Sequence, residues 1–246
     1  MPDLDWNKGL WGGDYDWNAG GEEWSAPWGG SEPQWFGSLY PRLHRLLPAR
    51  RILEIAPGYG RWTRFLLPAC SYYFGVDLSE ACVLACKTRF RDDTHAHFIR
   101  NDGLSLRSAP DKSFDLIFSF DSLVHAELDV LQAYIPQIIG KLSKGGVAFL
   151  HHSNLQGFEN PGGIWDHSRA ATVSARAVSD LVHGAGGKVF VQEIINWHSA
   201  GPIDCLTTFG SVEGHEDTKT ISLVNMKFTD EAAMISTYQS PYCRIR

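Results

Sequence analysis

The sequence predicts an α/β protein built on a mostly parallel sheet, on three observations. Short apolar runs of strand length alternate with amphipathic stretches of helix length from about residue 50 onward. The first run leads directly into a glycine loop, "EIAPGYGRWT" (54–63). Four successive runs carry an acid at or near an end, at Glu54, Asp77, Asp102 and Asp121. In such sheets ligands bind at the carboxyl ends of the strands, which is where the last three of these acids fall.

The elements follow in order. Residues 1–38 are read as irregular; they hold Trp6, Trp11, Trp17, Trp24 and Trp28, five of nine tryptophans, spaced by glycines and acids. "SLYPRLHRLLP" (38–48) places Leu39, Leu43, Leu46 and Leu47 on one helical face and stops at Pro48. "RILEIAP" is a first strand, "RWTRFLL" a helix closed by Pro68, and "YYFGVD" a second strand. Ser79 caps the helix "SEACVLACKTRF". "HAHFIRND" and "FDLIFSFDS" are the third and fourth strands. "AELDVLQAYIPQIIGKL" is helical, kinked or split at Pro136. "KGGVAFLHHSN" is a turn and a fifth strand. After the Gly/Pro-bearing loop "LQGFENPGGIWDHSRAA" comes the helix "SARAVSDLVHGAGG" with a glycine stop. "KVFVQEII", "DCLTTFGSV" and "TISLVNMKF" are strands, the last two expected as an antiparallel hairpin. Residues 1–48 form an N-terminal segment and 49–246 the main domain, with an insertion near 155–172.

Composition narrows the function. A chain of 246 residues, 43% hydrophobic and 20% charged, suits one well-cored domain. A net charge of −6 without a basic tract argues against nucleic-acid binding. No apolar run reaches the ~18 residues of a membrane span, and no secretory signal pattern opens the chain. Five scattered cysteines without a CxxC are expected as reduced thiols in the cytoplasm.

The glycine loop decides the cofactor class. Gly58 and Gly60 permit a tight turn and close ligand approach. A dinucleotide loop needs a third small residue where this chain has Thr63, and Glu54 ahead of the loop repels a pyrophosphate but suits an ammonium group. Asp77, 19 residues past Gly58, is placed to accept both hydroxyls of a ribose. Asp102 is placed for an adenine amino group.

These residues resemble the first motif and strand-end acids of the class I S-adenosylmethionine-dependent methyltransferases. The motif E/D-x-G-x-G-x-G reads here Glu54-Ile-Ala56-Pro57-Gly58-Tyr59-Gly60, with Ala56 for the first glycine. The similarity spans roughly residues 50–153. It implies a Rossmann-like fold with a mostly parallel seven-stranded sheet, helices on both faces and an antiparallel strand near the C-terminus. It implies S-adenosylmethionine as cofactor and S-adenosylhomocysteine as product. Asp77 and Leu78 would hold the ribose, Asp102 and Gly103 would flank the adenine, and Phe120 to Ser122 would line the methionine end, with Glu54, Ala56, Gly58 and Gly60 around the loop.

The acceptor is less legible. An in-line methyl transfer to a hydroxyl gains from a general base, for which His is suited. His152 is the expected base, with His125 and Asp121 beside it and His151 on the opposite face of the strand. Trp165, His167 and Arg169 in "IWDHSR", with Trp24, Trp28 and His151, are expected to contact the acceptor. A sugar or natural-product hydroxyl is the leading acceptor class. A small-molecule N-methyltransferase, a non-catalytic cofactor-binding domain and a dinucleotide oxidoreductase are the alternatives; "DSLV" after strand four lacks the NPPY-type motif of amide and nucleobase enzymes. A divalent metal at Asp121, His152, Asp166 and Asp204 is not expected, because the spacing matches no recognised site. The opening tryptophans are expected either as a lid over the cofactor, hinged at Gly12, Gly13, Gly20 and Gly21, or as cover for the domain flank or a homodimer contact.

Overall fold

A computed structural model describes residues 2–158, 168–198 and 201–245. Eight strands form one sheet: β1 (Ala49–Ile55), β2 (Cys70–Asp77), β3 (Ala96–Arg100), β4 (Phe114–Ser119), β5 (Leu142–Ser153), β6 (Gly187–Ile195), β7 (Asp204–Ser211) and β8 (Ile221–Asn225). Their spatial order is β3-β2-β1-β4-β5-β7-β6-β8. The five on one side run parallel. β7 inserts antiparallel between β5 and β6, and β8 adds parallel to β6. The sheet thus has eight strands rather than the expected seven. The expected β7–β8 hairpin does not form, because β7 is paired on both sides and β8 joins the outer edge of β6.

The helices are α1 (Leu4–Gly9), α2 (Ser31–Gln34), α3 (Tyr40–Leu43), α4 (Thr63–Leu66), α5 (Glu80–Arg89), α6 (Leu128–Lys141), α7 (Ala175–Gly184) and α8 (Phe228–Met234). Local chemistry explains their ends. Ser79 Oγ accepts from the Cys82 N–H at the start of α5, and Ser174 Oγ from the Ala177 N–H at the start of α7. Gly186, with φ +77°, closes α7. α6 runs unbroken through Pro136.

Strand alternation builds a core on each face. Ile52, Phe118, Phe149 and Leu206 point to one side, where Trp28, Trp35, Leu39, Trp62 and Phe228 cover them. Leu53, Ile117, Leu150 and Phe209 point to the other, against Leu131, Ile135, Val178 and Val182 of α6 and α7. Residues 2–38 are built of short helices, contrary to the irregular reading, at Leu4–Gly9, Trp17–Ala19, Glu22–Trp28 and Ser31–Gln34, and the stretch from Leu4 to Trp24 lies over the carboxyl ends of the strands. A chain this rich in glycine gives no clear periodicity, and tertiary packing of its tryptophans supplies the order instead. Arg42 on α3 fastens the segment to the body, with both guanidinium edges paired to carboxylates: Glu193 on β6 at 2.7 Å and Glu231 on α8 at 2.9 Å and 3.0 Å.

Candidate active site

A cavity opens at the carboxyl ends of β1, β2 and β4. The glycine loop forms its floor. Gly58 and Gly60 have φ +58° and +81°, which the turn requires. A Cβ on Gly58 would meet the Trp17 ring at 3.2 Å, and one on Gly60 the Phe90 ring at 2.4 Å. Ala56 occupies the same left-handed region, φ +57°, which explains why the related motif has glycine there.

Asp77 ends β2 inside the cavity. One carboxylate oxygen accepts from the Gly58 N–H at 3.0 Å, the other from the Ser79 N–H at 2.8 Å. These bonds aim the carboxylate and leave each oxygen further acceptor capacity. Burial pushes its pKa up to about 6, against the lowering effect of the two N–H donors. Leu78, Gly103, Phe120, Asp121 and Ser122 also line the cavity. Ser122 Oγ donates to the Ala56 carbonyl at 3.0 Å and ties β4 to the loop.

Several expected site residues lie elsewhere. Glu54 points away from the cavity into the core, where it accepts from Thr63 Oγ1 at 2.7 Å and from the Tyr73 hydroxyl. Burial raises it to about 7. Its reach to a ligand ammonium is therefore not realised, since β1 alternation turns it under the loop. Asp102 is exposed and accepts from the Leu104 and Ser105 N–H groups, and those backbone bonds lower its pKa. The cavity wall there is formed instead by Asn101, Gly103 and Tyr134, and the Asn101 amide Nδ2 donates to the Tyr134 hydroxyl at 2.9 Å.

The histidines also differ from expectation. His152 is wholly buried: its Nδ1–H donates to the Ser153 carbonyl at 2.8 Å, and its Nε2 accepts from Thr207 Oγ1 at 2.7 Å. Both nitrogens are used and neither lines the cavity, so His152 does not suit the role of base. His151, on the opposite face, is equally buried. Its Nδ1 accepts from the Asp121 N–H at 3.2 Å, so the proton sits on Nε2 and goes to Asp204 at 3.0 Å. Arg169 pairs with the same Asp204 at 2.8 Å. Burial alone would raise Asp204, but Arg169 and His151 outweigh it and hold the carboxyl well below the usual range. Asp121, left-handed at φ +60°, pairs with Arg61 at 2.7 Å and lies 3.9 Å from Arg169. His125 is the histidine on the cavity wall. Its Nδ1–H donates to the Ser168 carbonyl at 2.8 Å, leaving Nε2 as the acceptor. Burial, then Arg169, lowers its pKa to about 4, so the ring is neutral at pH 7.

The N-terminal segment roofs the cavity. Leu4, Asn7, Trp11, Trp17 and Trp24 line it, and Trp28 instead joins the core against Trp197 at 5.1 Å. Trp17 stacks on Tyr59 of the glycine loop, 4.7 Å away and 3° from parallel. Asn7 donates to the His125 carbonyl at 2.8 Å. Trp165, His167 and Asp166 lie outside the described residues. Among the described residues, no group of three or more His, Cys, Asp or Glu is placed to hold a metal ion, and no helix is long and apolar enough to cross a membrane. Sequence reading missed Arg61, Asn101, Trp11 and Trp17 as cavity residues; Arg61, adjoining Gly60, carried the one local signal.

The lining suits an adenosyl cofactor: Gly58 exposes backbone on the cavity wall, Asp77 offers oriented acceptors, and the indole Nε1 of Trp62, itself a lining residue, is buried without a partner. Gly60 does not line the cavity; its missing side chain makes room for the Phe90 ring of the core.

Residues 52–146 match a family model described as a methyltransferase domain. No curated protein matches the sequence. Among solved structures, the chain is similar to the PH0226 protein from Pyrococcus horikoshii OT3, at 21% identity over 70% of this chain and 87% of that one, with a TM-score of 0.55. It is also similar to the N-methyltransferase NodS from Bradyrhizobium japonicum WM9 in complex with S-adenosyl-l-homocysteine (18%, 69% and 84%, TM-score 0.51). A third is an S-adenosylmethionine-dependent methyltransferase from Clostridium acetobutylicum ATCC 824 (15%, 83% and 95%, TM-score 0.55). The chain thus shares the Rossmann-like fold of these methyltransferase structures, and its residues 52–146 are similar to a methyltransferase domain.

Proposed function

We propose that this protein transfers a methyl group from S-adenosylmethionine to a neutral hydroxyl of a small molecule. The observation that carries the cofactor reading is Asp77, a carboxylate aimed by the glycine loop into a cavity at the strand ends. When bound, S-adenosylmethionine supplies an electrophilic methyl group on a sulfonium. Asp77 accepts hydrogen bonds from the ribose hydroxyls. Gly58 allows close approach, Leu78, Asn101 and Gly103 frame the base, and Ala56, Phe120, Asp121 and Ser122 border the amino-acid end.

The charge balance at the far end of the site supports a hydroxyl over an amine. Asp121 and Asp204 are already paired with Arg61 and Arg169. No spare carboxylate remains there to hold a substrate ammonium among the described residues. His125, neutral with Nε2 open, is suited to accept a hydrogen bond from an acceptor hydroxyl and to take its proton as transfer proceeds. The tryptophan roof excludes water and offers ring faces to the sulfonium.

Calorimetry with S-adenosylhomocysteine and NAD tests the cofactor. Binding of the former in the micromolar range with none of the latter is expected; the reverse would overturn the reading. Formation of S-adenosylhomocysteine from S-adenosylmethionine in the presence of hydroxyl but not amine acceptors tests the second half.

A further inference from the structure

The roof meets the site at Asn7, whose side chain is spent on the junction. Asn7 lies on the six-residue helix α1, is buried, and lines the cavity. Its amide Nδ2 donates to the His125 carbonyl at 2.8 Å, and to the Pro2 and Asp3 carbonyls at 2.8 Å and 2.9 Å. Its Oδ1 accepts from the Trp11 Nε1–H at 3.0 Å. Two N–H groups serve three carbonyls, so no donor remains for a ligand. The bonds to Pro2 and Asp3 are local to the start of α1, whereas the bond to His125 joins residues 118 positions apart.

That long-range bond lands on a short turn, Leu123–His125. The turn is closed by the His125 N–H to the Ser122 carbonyl at 3.2 Å and the Ala126 N–H to the Leu123 carbonyl at 3.1 Å. Bonds of this tight geometry are weaker than those of an α-helix, so an outside donor adds much to its rigidity. The same amide also sets what covers the His125 ring. Trp11, whose indole Asn7 holds, lies 5.3 Å from that ring, and Trp6, next to Asn7 in the chain, lies 6.1 Å from it. From the body, the Ser168 carbonyl takes the ring's Nδ1–H. The charged groups that act on the ring are Arg169, Asp121 and Asp204, all on the body and paired there, Asp121 with Arg61 and Arg169 with Asp204. The roof brings no charge to the ring; it brings cover.

We infer that Asn7 is a positioning residue for methyl transfer: with the roof down, it locks the His125 turn and the Trp11 indole into one arrangement that fixes the His125 ring and keeps it dry. This rests on the methyl-transfer reading above, with His125 as base, and gives the roof a second task besides covering the cofactor. The two tasks fall to different contacts. Trp17, stacked on Tyr59, serves the cofactor through the glycine loop. Asn7 serves the base, and acts only through His125 and Trp11.

The test is nuclear magnetic resonance of the full chain carrying isotope-labelled histidine and saturated with S-adenosylhomocysteine. The His125 signals are assigned by their loss in His125→Ala. The unaltered protein is expected to show a slowly exchanging His125 Nδ1–H. In Asn7→Ala that proton is expected to exchange at least about tenfold faster, as the ring gains access to water. The ring is expected to titrate about 1–2 pH units higher there, toward the value of a solvated imidazole, with S-adenosylhomocysteine affinity kept within about threefold. Asn7→Asp keeps an acceptor for Trp11 and loses the donor to the His125 carbonyl, so the same faster exchange is expected. Trp17→Ala is expected to show the converse, weaker S-adenosylhomocysteine binding with the His125 signals unmoved. Unmoved His125 signals in both Asn7 variants overturn the inference. An equal change in Trp17→Ala also overturns it, since any loosening of the roof would then wet the ring. So does a loss of S-adenosylhomocysteine affinity of about tenfold or more in Asn7→Ala, which would place Asn7 at the cofactor. Failure of the methyl-transfer reading is seen separately, as absent S-adenosylhomocysteine binding in the unaltered protein.

Discussion

Asp77 carries a cost that a ligand can relieve. Its carboxyl is pushed from an ordinary 3.8 to about 6, first by burial. A raised carboxyl pKa means that the folded state holds the proton more tightly than the unfolded one. The stability from that proton is present in full below about pH 4 and is lost as pH rises through about 6. The loss is on the order of 3 kcal/mol. Glu54, raised to about 7, and His125 and His152, lowered to about 4, titrate across the same range. Total stability against pH therefore mixes opposing contributions, and a comparison of variants separates them. Asp77→Asn is expected to gain on the unaltered protein by about that amount between pH 4 and pH 8 in denaturant titrations. At pH 8 the same variant is expected to bind S-adenosylhomocysteine roughly 10- to 100-fold more weakly, from loss of charge-assisted hydrogen bonds. Affinity in the unaltered protein is expected to fall as pH drops below about 6. A pH-independent difference between the two proteins would remove Asp77 from the site.

Strand β5 and the turn after β4 separate structural from chemical histidines. β5 pairs His151 with Leu206 and His152 with Cys205 of β7, so the register presents the two rings to opposite faces, both covered. The turn at 123–125 instead delivers His125 to the cavity wall. His152→Ala is expected to cost about 2–4 kcal/mol, from a cavity and an orphaned Thr207 hydroxyl, with turnover per folded molecule retained. His125→Ala is expected to keep S-adenosylhomocysteine affinity within about threefold and to lower kcat about 100-fold, the lower end for a general base because its pKa is far below neutrality. In the unaltered protein the His125 contribution to kcat is expected to be flat from pH 5.5 to 8. Single-turnover and denaturation measurements on both variants distinguish the roles; turnover lost in His152→Ala and kept in His125→Ala would invert them.

On the scale of the whole molecule, the N-terminal segment is anchored where Arg42 bolts α3 to Glu193 and Glu231, and Gly29 and Gly30, both with positive φ, lie between the roof and that anchor. The roof rests on the body through side chains, among them Trp17 on Tyr59, Trp11 on the His125 ring, Arg61 over the Trp24 ring, Asn7 on the His125 carbonyl, and Ser25 on Arg61 at 3.1 Å. Among the described residues no backbone–backbone hydrogen bond joins residues 4–28 to the body, which suits a lid. Amide hydrogen exchange across residues 4–28 is expected to slow on adding S-adenosylhomocysteine. Trp17→Ala is expected to weaken that ligand roughly 2- to 12-fold, the value of one aromatic stack. Exchange indifferent to the ligand would make the roof fixed scaffold.

The parallel α/β order, the glycine loop and the positions of Asp77 and Asp121 follow from the sequence, because short-range rules govern them: strand period, helix caps, and glycine where φ must be positive. The neighbouring acids Glu54 and Asp102 show the limit of those rules. One turns under the loop and the other out to solvent, and a single position of register decides which side chain lines the cavity. The tryptophans are the clearest case. Spacing alone does not say that Trp11, Trp17 and Trp24 roof the site while Trp28 enters the core. That sorting depends on which rings find partners far along the chain (Tyr59, Trp197 and Phe228), and only tertiary packing brings those partners together.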